Sequence, residues 1–323
     1  MEQRQLGTSD LHITRIGFGS WAAGGPGWAF SWGQQDDSDS IDAIHAALDL
    51  GINWIDTAAV YGLGHSEEVV AQALAGRAEK PYVFTKCTRV WNEAGEISSG
   101  MKANSLRLEV EASLKRLRLE TIDLYQIHWP NPEDEIEEAW TTLAKFMEEG
   151  KVRHIGVSNF SVSQLQRAQA LAPVTSLQPP YSLVTRDVEK EILPFCLEES
   201  IGVIVYSPMK AGVLSGRMSA DRIAHLDAED WRLRNPDFQE PALSSNLKLV
   251  DKLREIGNRH SENPGTVAVA WTLANPAVTG AIVGFRSRAQ VNDMKGMLAF
   301  RLSASEVDEI EAFAAGLVSP AGV

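Results

Sequence analysis

In Ile55-Asp56-Thr57-Ala58-Ala59-Val60-Tyr61-Gly62 an apolar run ends in a carboxylate, and a tyrosine follows five residues later beside a glycine. Two later runs, Tyr82–Lys86 and Ile122–His128, end in an ammonium and an imidazole. An acid, a phenol, a lysine and a histidine thus fall at equivalent points of successive strand-like segments. One such ending would be chance. Three in succession predict neighbouring strands that open onto one shared mouth, where barrel enzymes keep their chemistry.

Outward from this stretch, short apolar runs recur at Arg15–Gly19, Asn53–Asp56, Tyr82–Lys86, Ile122–His128, Val152–Ser158, Ser176–Gln178, Val203–Tyr206 and Ala281–Gly284. Between them lie segments with helical spacing: Ile41, Ile44 and Leu48; Leu106, Val110, Leu114 and Leu117; Ile136, Trp140, Leu143 and Met147; Val188, Ile192 and Phe195. The longest interval, from Tyr206 to Ala281, holds an irregular stretch, Gly212–Pro241, expected to loop over the mouth. Helices are expected about Leu243–Arg259, Thr266–Asn275 and Ala304–Ala314. Strand and helix alternation argues for parallel pairing, and the scarcity of charge within the strands argues for burial on both faces. Eight such units closing on themselves make a (β/α)8 TIM barrel, expected as a single domain over residues 1–323. A β-hairpin over Gln5–Ile13, turning at Gly7-Thr8-Ser9-Asp10, precedes it.

Hydrophobic residues make up 44% of the chain and charged ones 23%, enough apolar side chains for a large core. The formal net charge of −13 argues against nucleic acid or an acidic membrane as a partner. No window reaches the roughly 18 apolar residues of a membrane span, and no signal peptide is read at the N-terminus. Two cysteines, Cys87 and Cys196, give no disulfide framework, so a cytoplasmic setting is expected.

The strand-end set suits carbonyl reduction, in which a hydride reaches the carbonyl carbon and a proton the developing alkoxide. A free tyrosine, with a pKa of about 10, releases its proton poorly near neutrality. A neighbouring ammonium would lower that pKa, and a carboxylate would hold the ammonium in place. Tyr61 is therefore the candidate acid, Lys86 its tuner, Asp56 the orienting group, and His128 the donor to the substrate oxygen. Taken singly, Asp56 and Lys86 also read as a structural ion pair and His128 as a buried, satisfied histidine.

Asp56-Thr57-Ala58 with Tyr61-Gly62, Thr85-Lys86, Gln126-Ile127-His128-Trp129 and Gly156-Val157-Ser158-Asn159-Phe160 resemble, in order, the successive motifs of the aldo-keto reductase superfamily. The resemblance runs from about Gly7 to Phe300 and is nearest the bacterial branch related to potassium-channel beta subunits. It implies an NADP(H)-dependent reductase of a small carbonyl substrate, with Asp56, Tyr61, Lys86 and His128 as its tetrad. It also leaves room for a regulatory subunit that binds cofactor with little turnover. A lysine Schiff-base aldolase using Lys86 is a third chemical possibility.

By the same resemblance, Ser158, Asn159 and Gln178 fall where the family binds the nicotinamide carboxamide, and Tyr206 where the nicotinamide ring stacks. Ser207, Pro208 and Met209, with Gly212 and Leu214, resemble the loop that crosses the pyrophosphate. Gly284-Phe285-Arg286-Ser287-Arg288 opens a helix, whose free N–H groups favour an anion. Arg286 is the candidate for the adenosine 2′-phosphate, with Ser287, Arg288 and Gln290 beside it. Met294 departs from the family, which often has Asn near the adenine.

Gly17-Phe18-Gly19-Ser20-Trp21-Ala22 spells a dinucleotide fingerprint, but Gly24-Gly25-Pro26-Gly27 forbids the helix that motif needs. No metal-binding motif is present, and no metal centre is expected. Six tryptophans, Trp21, Trp28, Trp32, Trp91, Trp129 and Trp231, fall in segments placed at or above the mouth. They predict an aromatic-walled substrate pocket, with Arg89, Asn92, Arg232 and Arg234 as possible polar contacts.

Overall fold

The computed structural model describes residues 2–317. A hairpin of β1 (Gln3–Gln5) and β2 (His12–Thr14) precedes eight parallel strands: β3 (Ile16–Gly19), β4 (Trp54–Asp56), β5 (Tyr82–Cys87), β8 (Ile122–Ile127), β9 (Val152–Ser158), β10 (Ser176–Gln178), β11 (Gly202–Val205) and β12 (Gly280–Gly284). Each pairs with its predecessor, and β12 pairs with β3, closing the barrel. A second hairpin, β6 (Arg89–Trp91) and β7 (Ile97–Ser99), grows from the end of β5.

The helices of the crossovers are α1 (Asp37–Asp49), α2 (His65–Leu74), α3 (Ala103–Leu117), α4 (Ile136–Glu148), α5 (Val162–Gln169) and α6 (Ile192–Glu198). The long interval before β12 carries α7 (Ala220–Ala224), α8 (Ala242–His260) and α9 (Pro264–Ala274); α10 (Arg288–Asp293) and α11 (Ala304–Ala315) follow β12. Local chemistry starts several of them. Asp36 caps α1, capping boxes begin α5 (Ser161 with Gln164) and α11 (Ser303 with Glu306), and Asn263 caps α9 ahead of Pro264 at its first turn.

Most expected boundaries are met within a residue or two. The helix expected through Val188, Ile192 and Phe195 is instead a 3-10 turn, Asp187–Glu189, and then α6. The Gly212–Pro241 stretch is not wholly irregular, since it holds α7 and further 3-10 turns. Helices α2 and α5 and hairpin β6–β7 add to the elements that the spacing predicts. Among the described residues, no helix is long and apolar enough to cross a membrane.

Side chains alternate across each strand. Outward-facing residues such as Ile55, Val83, Tyr125, Ile155, Val157 and Leu177 build the main core against the helices. Inward-facing Trp54, Phe84, Leu124, Ile204 and Ile282 pack with Leu6, Leu11 and Ile13, so that the first hairpin plugs the N-terminal end. Trp54 needs room: a Cβ on Gly17 would come within 2.2 Å of its ring. That glycine of the apparent dinucleotide fingerprint therefore serves barrel packing. The segment after β3 makes only a 3-10 turn, Trp21–Gly24.

Candidate active site

Two residues above the apolar plug, the same inward faces become polar. Asp56 ends β4, Lys86 lies near the end of β5, and Gln126 stands opposite Lys86 on β8. Lys86 Nζ lies 2.6 Å from Asp56 Oδ2 and donates to the Thr57 carbonyl at 2.8 Å. The Asp56 and Lys86 side chains are essentially shut off from solvent. A charge buried this deeply is tolerated only when paired and hydrogen-bonded. Both conditions hold here.

Tyr61 reaches the same ammonium from the loop after β4, with Nζ to Oη at 3.5 Å. That loop is set by backbone contact: Gly62 has φ 61°, and a Cβ on it would stand 2.0 Å from the Gly24 carbonyl oxygen. The Tyr61 ring meets the His128 ring edge to face, centroids 5.9 Å apart. The four candidate catalytic residues therefore form one cluster.

Burial and then the Asp56 charge raise the Tyr61 pKa well above its ordinary value. This is the reverse of the lowering expected from Lys86. The phenol consequently keeps its proton at neutral pH, which a proton donor requires. Burial lowers the Lys86 pKa, with the Asp56 charge opposing that shift. His128 is held well below the usual histidine range by burial, then by the charges of Lys86 and Arg89, so its imidazole is neutral near pH 7.

A cavity of about 890 Å³ opens above the cluster. Ser158, Asn159, Gln178, Tyr206, Ser207, Pro208, Met209, Gly212, Gly284, Arg286 and Gln290 line it. Leu214 is buried and does not. Ser287 caps α10 through Gln290 N, and Arg288 lies 3.6 Å from Asp42; neither of them lines the cavity. Asn159 and Ser207, at φ 62° and 55°, occupy a backbone region uncommon outside glycine, and the one above β9 is tied down. Asn159 Nδ2 donates to the His128 carbonyl at 3.0 Å, and Tyr206 Oη donates to Asn159 Oδ1 at 2.9 Å.

Gln178 lines the cavity and also reaches downward, its Nε2 donating to Asp56 Oδ1 at 2.9 Å. A carboxylate can only accept, so this contact assigns the amide orientation. The Gln178 carbonyl oxygen is then turned away from Asp56. Arg286 donates to Gln35 Oε1 at 2.8 Å, to the Trp32 carbonyl at 3.2 Å and to the Gln34 carbonyl, spanning the loop after β3. These acceptors are neutral, and three bonds do not exhaust its five N–H groups.

Trp21, Trp28, Trp32 and Trp129 line the cavity, and Trp21 stacks on both Tyr61 and Trp231, at 5.9 and 5.1 Å between centroids. Trp91 does not line it; Arg116 lies over its ring instead. Several contributors carried no sequence signal: the Thr57 carbonyl, and Arg217, Arg222 and Asp293 on the cavity wall. A backbone acceptor has no residue type. The arginines look like any solvated surface arginine until the long loop folds over.

The residues present fit a nicotinamide dinucleotide. The cavity is large enough for an extended ligand, and both amide groups near the candidate catalytic cluster and several arginines line it. Fold and site together define a (β/α)8 barrel whose polar cluster and cavity lie at the C-terminal ends of its strands. The aldo/keto reductase family model matches residues 15–315, and the chain belongs to that family of oxidoreductases.

Its relatives include the aldo-keto reductase YhdN of Bacillus subtilis strain 168, 34% identical over 322 residues, which cover 99% of this chain and 95% of that one. The NADH-specific methylglyoxal reductase of Escherichia coli K12 is 32% identical over 317 residues, covering 94% and 95%. Among solved structures, the glycerol dehydrogenase AKR11B4 of Gluconobacter oxydans superposes with a TM-score of 0.88 at 36% identity, over 100% of this chain and 99% of that one. The holo form of aldo-keto reductase AKR11C1 from Bacillus halodurans gives 0.80 at 26% identity, over 99% of each chain.

Proposed function

We propose that the chain is an NADPH-dependent reductase of aldehydes or ketones in which Tyr61 delivers the proton. The observation that carries this reading is the single ammonium of Lys86, 2.6 Å from Asp56 and 3.5 Å from the Tyr61 hydroxyl, at the floor of an aromatic-walled cavity. Bound nicotinamide would supply the hydride.

Every other role falls to the chain's own groups. Tyr61 keeps its proton until an alkoxide develops beside it, and the Lys86 ammonium then stabilises the phenolate left behind. Asp56 holds the lysine in line, and Gln178 holds Asp56. Neutral His128 donates to the substrate oxygen and fixes its approach. Asn159 and Gln178 offer amide groups to the nicotinamide carboxamide, with Ser158 supporting them from beneath through its bond to the Gln178 backbone carbonyl at 2.7 Å.

The choice of NADPH rests on Arg222 and Arg286, which line the cavity after the seventh and eighth barrel strands and bond only neutral acceptors. Two buried, unbridged cysteines support a reducing, cytoplasmic setting. A carbonyl panel run with NADPH and with NADH tests the reading, because one relative is NADH-specific by name. Tyr61→Phe should keep its affinity for NADPH, measured by nicotinamide fluorescence, while turnover drops roughly 10²–10⁴-fold. Unchanged turnover in that variant would overturn the assignment of the acid.

A further inference from the structure

Arg89 begins β6, three residues after Lys86, and lines the cavity with Ile97, His128 and Trp129. Among the described residues its side chain makes one hydrogen bond, from Nη1 to the neutral Ser99 Oγ at 3.0 Å across the hairpin. Its guanidinium also lies 5.8 Å from the Trp129 ring centroid. Burial lowers its pKa, and no carboxylate acts against that shift. Other arginines near the mouth are neutralised: Arg116 by Glu67, Arg217 by Asp293 and Arg232 by Asp230. Arg222 and Arg286 stand over the seventh and eighth strands, where the proposed function puts cofactor phosphates.

The backbone that presents Arg89 is held in a costly form. Thr88 has φ 76°, a left-handed conformation that a β-branched residue rarely adopts, at a cost of about 1–3 kcal/mol. Three contacts hold it there. Thr88 N donates to Glu109 Oε2 at 2.7 Å, Gly100 N donates to the Thr88 carbonyl at 3.1 Å, and Thr88 Oγ1 donates to the Trp129 carbonyl at 3.5 Å. This turn brings Arg89 and Ile97 to the wall beside His128. A partly buried cation without a counter-charge, aimed by a strained turn, marks the place of an anion.

We propose that Arg89 pairs with a carboxylate on the substrate, so that the preferred substrates are aldehydes or ketones bearing an acidic group on an apolar or aromatic body. The proposal rests on the reductase reading and names the substrate class for that site. A planar guanidinium with Nε and one amino group free of protein acceptors matches a carboxylate in two parallel hydrogen bonds. Trp21, Trp28 and Trp129 supply the wall for the body between the two polar ends.

The test compares para-carboxybenzaldehyde with its neutral amide counterpart, para-carbamoylbenzaldehyde, using the full chain with NADPH. The acid should show kcat/KM at least about tenfold higher, chiefly through KM, and the gap should narrow as salt rises. Arg89→Gln should remove that advantage while leaving the amide within about twofold; Arg89→Lys should restore part of it. Equal kcat/KM for the two aldehydes, or an equal fall for both in Arg89→Gln, would overturn the proposal while the reductase reading stands. If neither aldehyde is reduced, the carbonyl panel with NADPH and NADH decides the reductase reading on its own. The carboxylate site is then judged by tryptophan-fluorescence titration with para-(hydroxymethyl)benzoate and its amide. Tighter binding of the acid that Arg89→Gln abolishes supports the site, and equal affinities overturn it.

Discussion

Trp54 and Asp56 are two residues apart on β4, as are Phe84 and Lys86 on β5 and Leu124 and Gln126 on β8. Each pair faces the same barrel interior. The lower members pack against the hairpin plug in a dry apolar layer, whereas the upper members form a hydrogen-bonded polar layer under the cavity. One strand thus carries both stability and chemistry, separated by a single step of the pleat. At the plugged end the side chains pack on apolar neighbours, and the one polar group among the three, the Trp54 indole N–H, donates to the Thr14 carbonyl at 2.9 Å. Two residues on, loops and neighbouring strand ends supply enough donors and acceptors to hold a buried ion pair.

Substitutions in the two layers should have separable effects. Trp54→Ala should cost roughly 3–5 kcal/mol in urea unfolding, as large core truncations do, while the folded fraction keeps most of its turnover. Loss of turnover in step with stability would merge the layers. Tyr61→Phe should give the opposite pattern, with little change in stability.

A smaller effect concerns how the mouth is anchored outside the barrel. Glu109, which holds Thr88, has its pKa raised from 4.5 to about 7, first by burial. The folded chain therefore binds more protons than the unfolded chain between those values. The group's contribution to stability is full at lower pH and is lost as pH rises through about 7. Glu109→Gln keeps an acceptor for Thr88 N and removes the titration. Relative to wild type, the variant should gain on the order of 3 kcal/mol between about pH 4 and pH 8, read from paired urea unfolding curves. Parallel pH profiles would show that Glu109 does not titrate in this window.

The smallest effect sharpens the boundary within the polar layer. Gln178→Leu removes the donor to Asp56 Oδ1. Turnover should fall about tenfold, in keeping with one hydrogen bond to a charged group. Turnover unchanged in Gln178→Leu would mean that Lys86 alone orients the carboxylate.

Much of this was legible along the chain. The strand endings at Asp56, Lys86 and His128 mark a common mouth because parallel strands in register keep the same face, and the apolar runs mark burial on both sides. The spacing does not reveal hairpin β6–β7, since a short ribbon beside a barrel has no core-facing period of its own. Leu214, Ser287 and Arg288 lie near cavity residues in sequence yet face elsewhere, because a turn rotates successive side chains away from one another. Trp91 is turned to Arg116 for the same reason.

The eight-unit alternation, the order of the polar strand ends and the identity of the four groups that gather there are written in the chain, because local periodicity and residue type are its own properties. Their protonation and their neighbours came from the closed tertiary structure. Burial and a neighbouring carboxylate raise the Tyr61 pKa against the pull expected of Lys86, and Gln178 meets Asp56 across 122 residues of chain. The fold also leaves Arg89 without a counter-charge while Arg116, Arg217 and Arg232 have one. Desolvation and charge pairing depend on distances between segments far apart in sequence, and those distances exist only once the barrel has closed.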